Sequence, residues 1–192
     1  MQILEKILRL RQICCHPALI GDGQVPSGKL ERLIEDLEEI VAEGRKALIY
    51  SQFTSMLSVI RRVLEEKGWK AAYLDGSTTD REGAVRQFQE DPSTPFFLIS
   101  LKAGGVGLNL TKADYVLLFD PWWNEAVERQ AIDRAHRLGR EAPVVARRYV
   151  VALSIEEKMM RLKEHKKKIM GDLLEDADEA NLSTEDLLLL LE

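Results

Sequence analysis

Cysteine is almost missing from this chain: its 192 residues hold two, Cys14 and Cys15, side by side. Neighbouring cysteines bridge each other poorly, and two are too few for a disulfide framework. A reducing, intracellular setting is therefore expected, cytoplasm or nucleoid if the chain is bacterial. The "CCH" stretch at 14–16 has no second ligand pair at metal spacing downstream, so no metal site is expected and both cysteines should pack as small buried residues. Long apolar runs are missing too. The run "LLLLL" at 187–191 is too short to span a bilayer, and no signal-peptide pattern opens the chain, so contact with a membrane is not expected. Positive charge is not in excess: the formal net charge is −5. Any basic surface for nucleic acid must then be local. Finally, the phosphate-loop pattern GxxxxGK[ST] occurs nowhere.

What is present is ordinary globular composition, 45% hydrophobic and 31% charged. The length suits one large domain, or one domain with appendages, and a full hydrophobic core. Leu4, Ile7, Leu8 and Leu10 recur at helical spacing until Pro17 stops them. "GDGQVPSG" (21–28) reads as a linker. Ser27 is placed to cap a helix whose apolar stripe is Leu30, Leu33, Ile34, Leu37 and Ile40–Val41, ending at Gly44. A rhythm follows. The apolar runs "ALIY" (47–50), "AAYL" (71–74), "FFLI" (96–99), "YVLLF" (115–119) and "VVARRYVV" (144–151) are interleaved with amphipathic helical segments. That alternation predicts βαβ units: a parallel sheet with helices on both faces. From Ser154 a further helix is expected, with Glu156 and Glu157 in its first turn and a basic run from Lys158 to Lys168. An acidic connector (172–179) and one last short helix follow. No internal repeat is visible.

In an open parallel sheet, ligands bind beyond the carboxyl ends of the strands. Four loops open there: Ser51-Gln52-Phe53-Thr54, Asp75-Gly76-Ser77-Thr78-Thr79, "SLKAGGVG" (100–107) and Asp120-Pro121-Trp122-Trp123-Asn124. Each alone is weak evidence, and "KAGGVG" reads either as a backbone nest for phosphate or as a plain tight strand-to-helix turn. Together they make a coherent site, and glycines let backbone N–H groups approach a phosphate closely. The segment "QAIDRAHRLGR" (130–140) reads as a helix capped by Asn124. Val127, Ala131, Ala135 and Leu138 form its core stripe. Arg129, Asp133 and Arg137 are spaced for ion pairs, which accounts for Arg137 but not for Arg134. Arg134 falls within the edge of the stripe, and a buried arginine needs a partner, either a carboxylate of this chain or an anion from outside.

In order and spacing, the blocks "SGKLERLIEDL", "ALIYSQFTSML", "YLDGSTTDREGAVRQFQED", "LISLKAGGVGLNLTKADYVLLFDPWWN" and "QAIDRAHRLGR" resemble the second motor lobe of the Swi/Snf family of DNA-translocating ATPases, in helicase superfamily two. "LRLRQICCHP" resembles the segment preceding that lobe, and "SIEEKMMRLKEHKKKIMGDLL" and "LSTEDLLLLL" resemble the tail of many bacterial members. The resemblance covers essentially the whole chain. It implies a RecA-like, three-layer α/β fold of a parallel sheet between helices, with helical extensions at both ends. The expected divisions are an N-terminal helical segment and linker (1–26), the lobe (27–152) and a helical tail (153–192). Arg134 and Arg137 would be arginine fingers reaching toward ATP, with Gln130, Gly105 and Gly107 near the nucleotide. Gln52, Gly76, Ser77, Thr78, Lys102, Ala103 and Gly104 would touch the DNA backbone, contacts that position without reading sequence. Trp122 and Trp123 would pack at the lobe interface or on DNA, or simply fill the core. Two positions depart from the family pattern: Glu125 stands where Pro is usual, and Arg140 where Gln is usual.

The implied partners are a first RecA-like lobe of the same protein and double-stranded DNA; no oligomer is predicted. ATP and magnesium would be held mainly by that first lobe, whose phosphate loop and acidic pair this sequence lacks, so this chain alone is expected to be inactive. The alternatives are a lobe of a strand-separating DNA or RNA helicase, and a non-catalytic interaction module on the same fold.

Overall fold

The computed structural model describes residues 2–21, 25–103, 108–136 and 143–170, together with Leu188 and Leu190. Five strands form a single sheet: β1 (Ala47–Ser51), β2 (Ala71–Leu74), β3 (Phe96–Ser100), β4 (Tyr115–Leu118) and β5 (Val145–Arg148). Their order is β2-β3-β1-β4-β5 and every pairing is parallel. Among the described residues six α-helices accompany them: α1 (Gln2–Cys15), α2 (Gly28–Ala42), α3 (Thr54–Glu66), α4 (Arg81–Glu90), α5 (Glu125–Asp133) and α6 (Ile155–Met170).

The apolar runs become strands because burial on both faces tolerates no polar alternation. β1 and β3 are buried at every position. Their side chains alternate between two cores. On one face Ala47, Ile49, Phe96, Leu98 and Leu117 meet Leu33 and Leu37 of α2 and Met56, Leu57 and Ile60 of α3. On the other, Leu48, Tyr50, Phe97, Ile99 and Leu118 meet Phe88 of α4 and Ala131 of α5. This is the three-layer α/β arrangement expected from the rhythm of the sequence.

Helix ends follow the expected chemistry. The Ser27 hydroxyl accepts from Leu30 N–H at 3.3 Å and donates to the Cys15 carbonyl at 3.0 Å, so one residue caps α2 and fastens α1. Gly44 and Gly68, at φ +66° and +73°, turn the chain out of α2 and α3.

Three expectations need correction. β5 is mostly exposed rather than a core strand, because it lies at the sheet edge and carries Arg147 and Arg148. Of the apolar residues spaced along α1, only Ile7 is buried; Leu4, Leu8 and Leu10 face outward, and the inward stripe is Ile7, Arg11 and Cys15. Cys15 is buried as expected, whereas Cys14 is half-buried. Glu156 and Glu157 lie in the first turn of α6 as expected, and Glu156 is fully buried and paired with Lys29. The acidic connector (172–179) lies outside the described residues, as does nearly all of the last short helix. Among the described residues no helix is long and apolar enough to cross a membrane.

Candidate functional site

β1 lies between β3 and β4. The chain leaving β1 crosses the face covered by α3, while the chain leaving β4 crosses the opposite face through α5. The loops after these two neighbouring strands therefore diverge, and a crevice opens between them at the carboxyl edge. A buried aspartate stitches the crevice together. Ser51 Oγ donates to Asp120 Oδ1, and Gln52 N–H donates to Asp120 Oδ2 at 3.1 Å. Phe53 N–H donates to Ser51 Oγ at 3.1 Å. Burial pushes the Asp120 carboxyl above its ordinary range, against the hydrogen bonds from Ser51 and Gln52. The backbone of Gln52 is thus fixed while its side-chain Nε2 is buried without a hydrogen-bond partner among the described residues.

Arg134 is where the helical spacing put it, against the core, with 7% of its surface exposed. Its Nη1 is buried and has no hydrogen-bond partner among the described residues. Neither does any described carboxylate pair with it, so the expected choice between an internal carboxylate and an outside anion loses its first option among those residues. Its neighbour on the same face is Tyr50, whose hydroxyl is also buried without a hydrogen-bond partner among the described residues. Burial raises the Tyr50 hydroxyl, and the Arg134 charge opposes that rise. Two orphaned polar groups therefore sit on the α5 side of the sheet.

The expected helix through 130–140 is shorter than its pattern. α5 ends at Asp133, with Arg134 as its C-cap. The Arg134 carbonyl accepts from Leu110 N–H at 3.1 Å. Arg129 and Asp133 are exposed, and no ion pair joins them. Asn124 Oδ1 accepts from Ala126 N–H at 2.8 Å, which makes it the cap expected from the sequence.

Of the remaining expected residues, Gly76, Ser77 and Thr78 follow β2, Lys102 and Ala103 follow β3, and Gln130 lies on α5. Gly76 is open, with nothing near the position a Cβ would take. Ser77 is engaged within its own turn: its N–H and hydroxyl both donate to Asp75 Oδ1, at 2.8 and 2.7 Å. Thr78 Oγ1 accepts from Asp75 N–H at 3.0 Å. These bonds, Ser77 foremost, hold the Asp75 carboxyl below its usual value. Lys102 and Gln130 are exposed, whereas Ala103 is buried. Gly104, Gly105, Gly107, Arg137 and Arg140 lie outside the described residues.

The two tryptophans separate. Trp123 packs with Ile7, Ile155 and Met159 of the flanking helices, and Trp122 packs partly against the α5-side core. Sequence reasoning missed Asp120 and Ser51 as organisers of the crevice, and Arg11, whose Nη2 reaches the Pro121 carbonyl at 2.6 Å. A signal for Arg11 existed: it stands four residues after Ile7 and four before Cys15, on the buried stripe of α1.

With this geometry in place, relatives can be compared. Residues 28–139 match the helicase conserved C-terminal domain family. The DNA repair protein rad8 of Schizosaccharomyces pombe is 42% identical over 175 residues, covering 88% of this chain. The matched region is 15% of rad8, so the chain spans a small part of that relative's length. Among solved structures, the C-terminal domain of the Sulfolobus solfataricus SWI2/SNF2 ATPase is 34% identical with a TM-score of 0.72, covering 99% of this chain and 77% of that one. The Sulfolobus solfataricus SWI2/SNF2 ATPase core in complex with dsDNA is 34% identical with a TM-score of 0.76, covering 98% of this chain and 41% of that one. The chain therefore belongs to the helicase conserved C-terminal domain family, as a RecA-like lobe of the Swi/Snf type.

Proposed function

We propose that this chain is the second motor lobe of an ATP-dependent double-stranded DNA translocase that remodels protein–DNA complexes. The observation that carries the proposal is Arg134: a guanidinium nitrogen buried against the core with no hydrogen-bond partner among the described residues. An arginine held that rigidly suits a phosphate oxygen, because its planar fork needs little further ordering to grip one. Arg134 and Arg137 face the terminal phosphates of an ATP molecule carried by a first lobe, and Gln130, Gly105 and Gly107 border the nucleotide. Magnesium and most of the ATP-binding groups belong to that first lobe, where they offset the charge of the phosphates; no residue of this chain is assigned to metal.

On the DNA side, Gln52, with its backbone pinned to Asp120 and its Nε2 free, donates to a backbone phosphate. Gly76–Thr78 and Lys102–Gly104 complete a track along the same edge. These groups position the duplex and read no sequence. A strand-separating or RNA-directed helicase lobe would share the fold. The likeness to an ATPase core solved with dsDNA supports the duplex reading. Comparing stimulation of the two-lobe protein by duplex DNA, single strands and RNA decides between them.

Arg134→Ala in the two-lobe protein should lower ATP turnover by roughly 10³ or more, as for other phosphoryl-transfer arginines supplied from outside the phosphate loop. Arg134→Lys should recover little, because it restores charge without the fork. Near-normal turnover in Arg134→Ala would remove the assignment.

A further inference from the structure

Arg11 carries the same signature as Arg134, yet no nucleotide or DNA contact accounts for it. It is buried, and its Nη2 donates to the Pro121 carbonyl at 2.6 Å. Its guanidinium carbon lies 5.9 Å from the Phe53 ring centroid and 5.5 Å from that of Trp123. Among the described residues, its Nε is buried without a hydrogen-bond partner and no carboxylate forms an ion pair with it. Burial lowers its proton affinity, and Asp120 is the foremost charge opposing that. As a device for stability alone this is costly, since an apolar side chain of similar volume fills such a space without desolvating a cation.

The groups that Arg11 touches explain why it is there. Phe53 directly follows Gln52, at the start of the β1–α3 connection. Pro121 and Trp123 stand within three residues of Asn124, the cap of α5, and Arg134 is the C-cap of that helix. One side chain from α1, outside the sheet, thus spans both loops of the crevice. A second cation holds the same stretch from α6. Lys163 Nζ donates to the Trp122 carbonyl at 2.8 Å and to Glu128 Oε2 at 3.2 Å, while the buried Glu128 accepts Trp122 N–H at 2.7 Å.

We propose that Arg11 is a positioning residue that couples the β1–α3 loop to the β4–α5 loop and so sets the pose from which α5 presents Arg134. This rests on Arg134 facing nucleotide. The coupling is directional: a hydrogen bond and two ring contacts fix the guanidinium plane, which apolar packing would leave free. Lys163 steadies the far side of the same loop.

Two measurements test it. In this chain, Arg11→Met and Arg11→Lys are compared with the parent by hydrogen exchange. Protection should fall about tenfold or more across 121–133 while the amides of β1 and β3 keep theirs. Loss spread evenly over the sheet, or no loss, overturns the proposal. In the two-lobe protein, Arg11→Met should lower kcat by about tenfold with KM for ATP within about twofold, and Arg11→Lys should rescue little of it. Arg134→Ala is the control. If it removes turnover while Arg11→Met changes neither exchange nor kcat, the coupling is wrong and the role of Arg134 stands. If Arg134→Ala leaves turnover intact, the role of Arg134 is wrong and the proposal falls with it, whatever the exchange of 121–133.

Discussion

Asp120 has no exposed surface, and both of its oxygens are taken, by Ser51 and by the backbone of Gln52. It therefore fixes the start of the β1–α3 loop from the end of β4. Burial raises its carboxyl above the ordinary value, whereas Asp75, in the equivalent place after β2, is pulled down by Ser77. The sign of the pH effect follows. The unfolded chain releases the Asp120 proton near pH ~3.9, and the folded chain holds it to higher pH. The folded state thus binds more protons in that window. The stability Asp120 contributes is full below the unfolded value and is lost as pH rises through the folded one. Asp120→Asn cannot titrate, so its unfolding free energy should gain on that of the parent as pH rises from about 4 to about 7. Urea unfolding across that range measures this; a constant difference between the two proteins would show that Asp120 does not titrate as described. Nothing in the sequence separates the two aspartates, since each follows a strand and precedes a loop. Only the folded surroundings set their opposite shifts.

Between elements, the pair Lys29–Glu156 joins α2 to α6. Lys29 Nζ donates to both Glu156 oxygens at 2.6 Å, and neither side chain is more than 3% exposed. Glu156 also accepts Val151 N–H at 3.0 Å. Lys29→Met should cost about 3–5 kcal/mol, because it strands a buried carboxylate. Adding Glu156→Gln removes that charge yet keeps an acceptor for Val151, so the double variant should recover most of the loss. Denaturant unfolding of the three variants gives the coupling; strictly additive losses would mean the charges do not act as a pair. This contact also marks where sequence patterns stop being informative. Strands 47–51, 96–100 and 115–118 were legible because doubly buried parallel strands are continuous apolar runs. The end of α5 was not, because a long-range bond from Leu110 to the Arg134 carbonyl ends a pattern that is locally helical throughout. Nor was the inward face of α1. Its three leucines all face outward, and Arg11 is buried against a carbonyl 110 residues away. In the crevice, helical spacing picked out Arg134, but the Ser51–Asp120–Gln52 stitch joins two strands and has no local pattern.

For the whole molecule, charge and incompleteness point the same way. A formal charge of −5 makes the summed field unhelpful to DNA approach. Among the proposed DNA contacts, Lys102 is the sole cation; the others are amide, hydroxyl or backbone groups. Because affinity lost to salt reflects phosphates neutralised by cations, log affinity against log salt should have a slope of only about −1 to −2 for this chain. Fluorescence anisotropy with duplexes of unrelated sequence tests this, and the affinity should not depend on which duplex is used. A slope steeper than about −5 would place a larger basic surface on the DNA than the carboxyl edge supplies. Turnover follows the same logic. Arg134 offers a guanidinium to phosphates, but the sequence carries no phosphate loop to hold them, so bound ATP would lack both orientation and metal. The purified chain should therefore hydrolyse ATP no faster than buffer, with or without duplex DNA, and a first lobe fused to it should restore turnover that Arg134→Ala again removes. Robust DNA-stimulated hydrolysis by the chain alone would mean that phosphate is held and activated within these 192 residues, and the division of the active site between two lobes would be wrong.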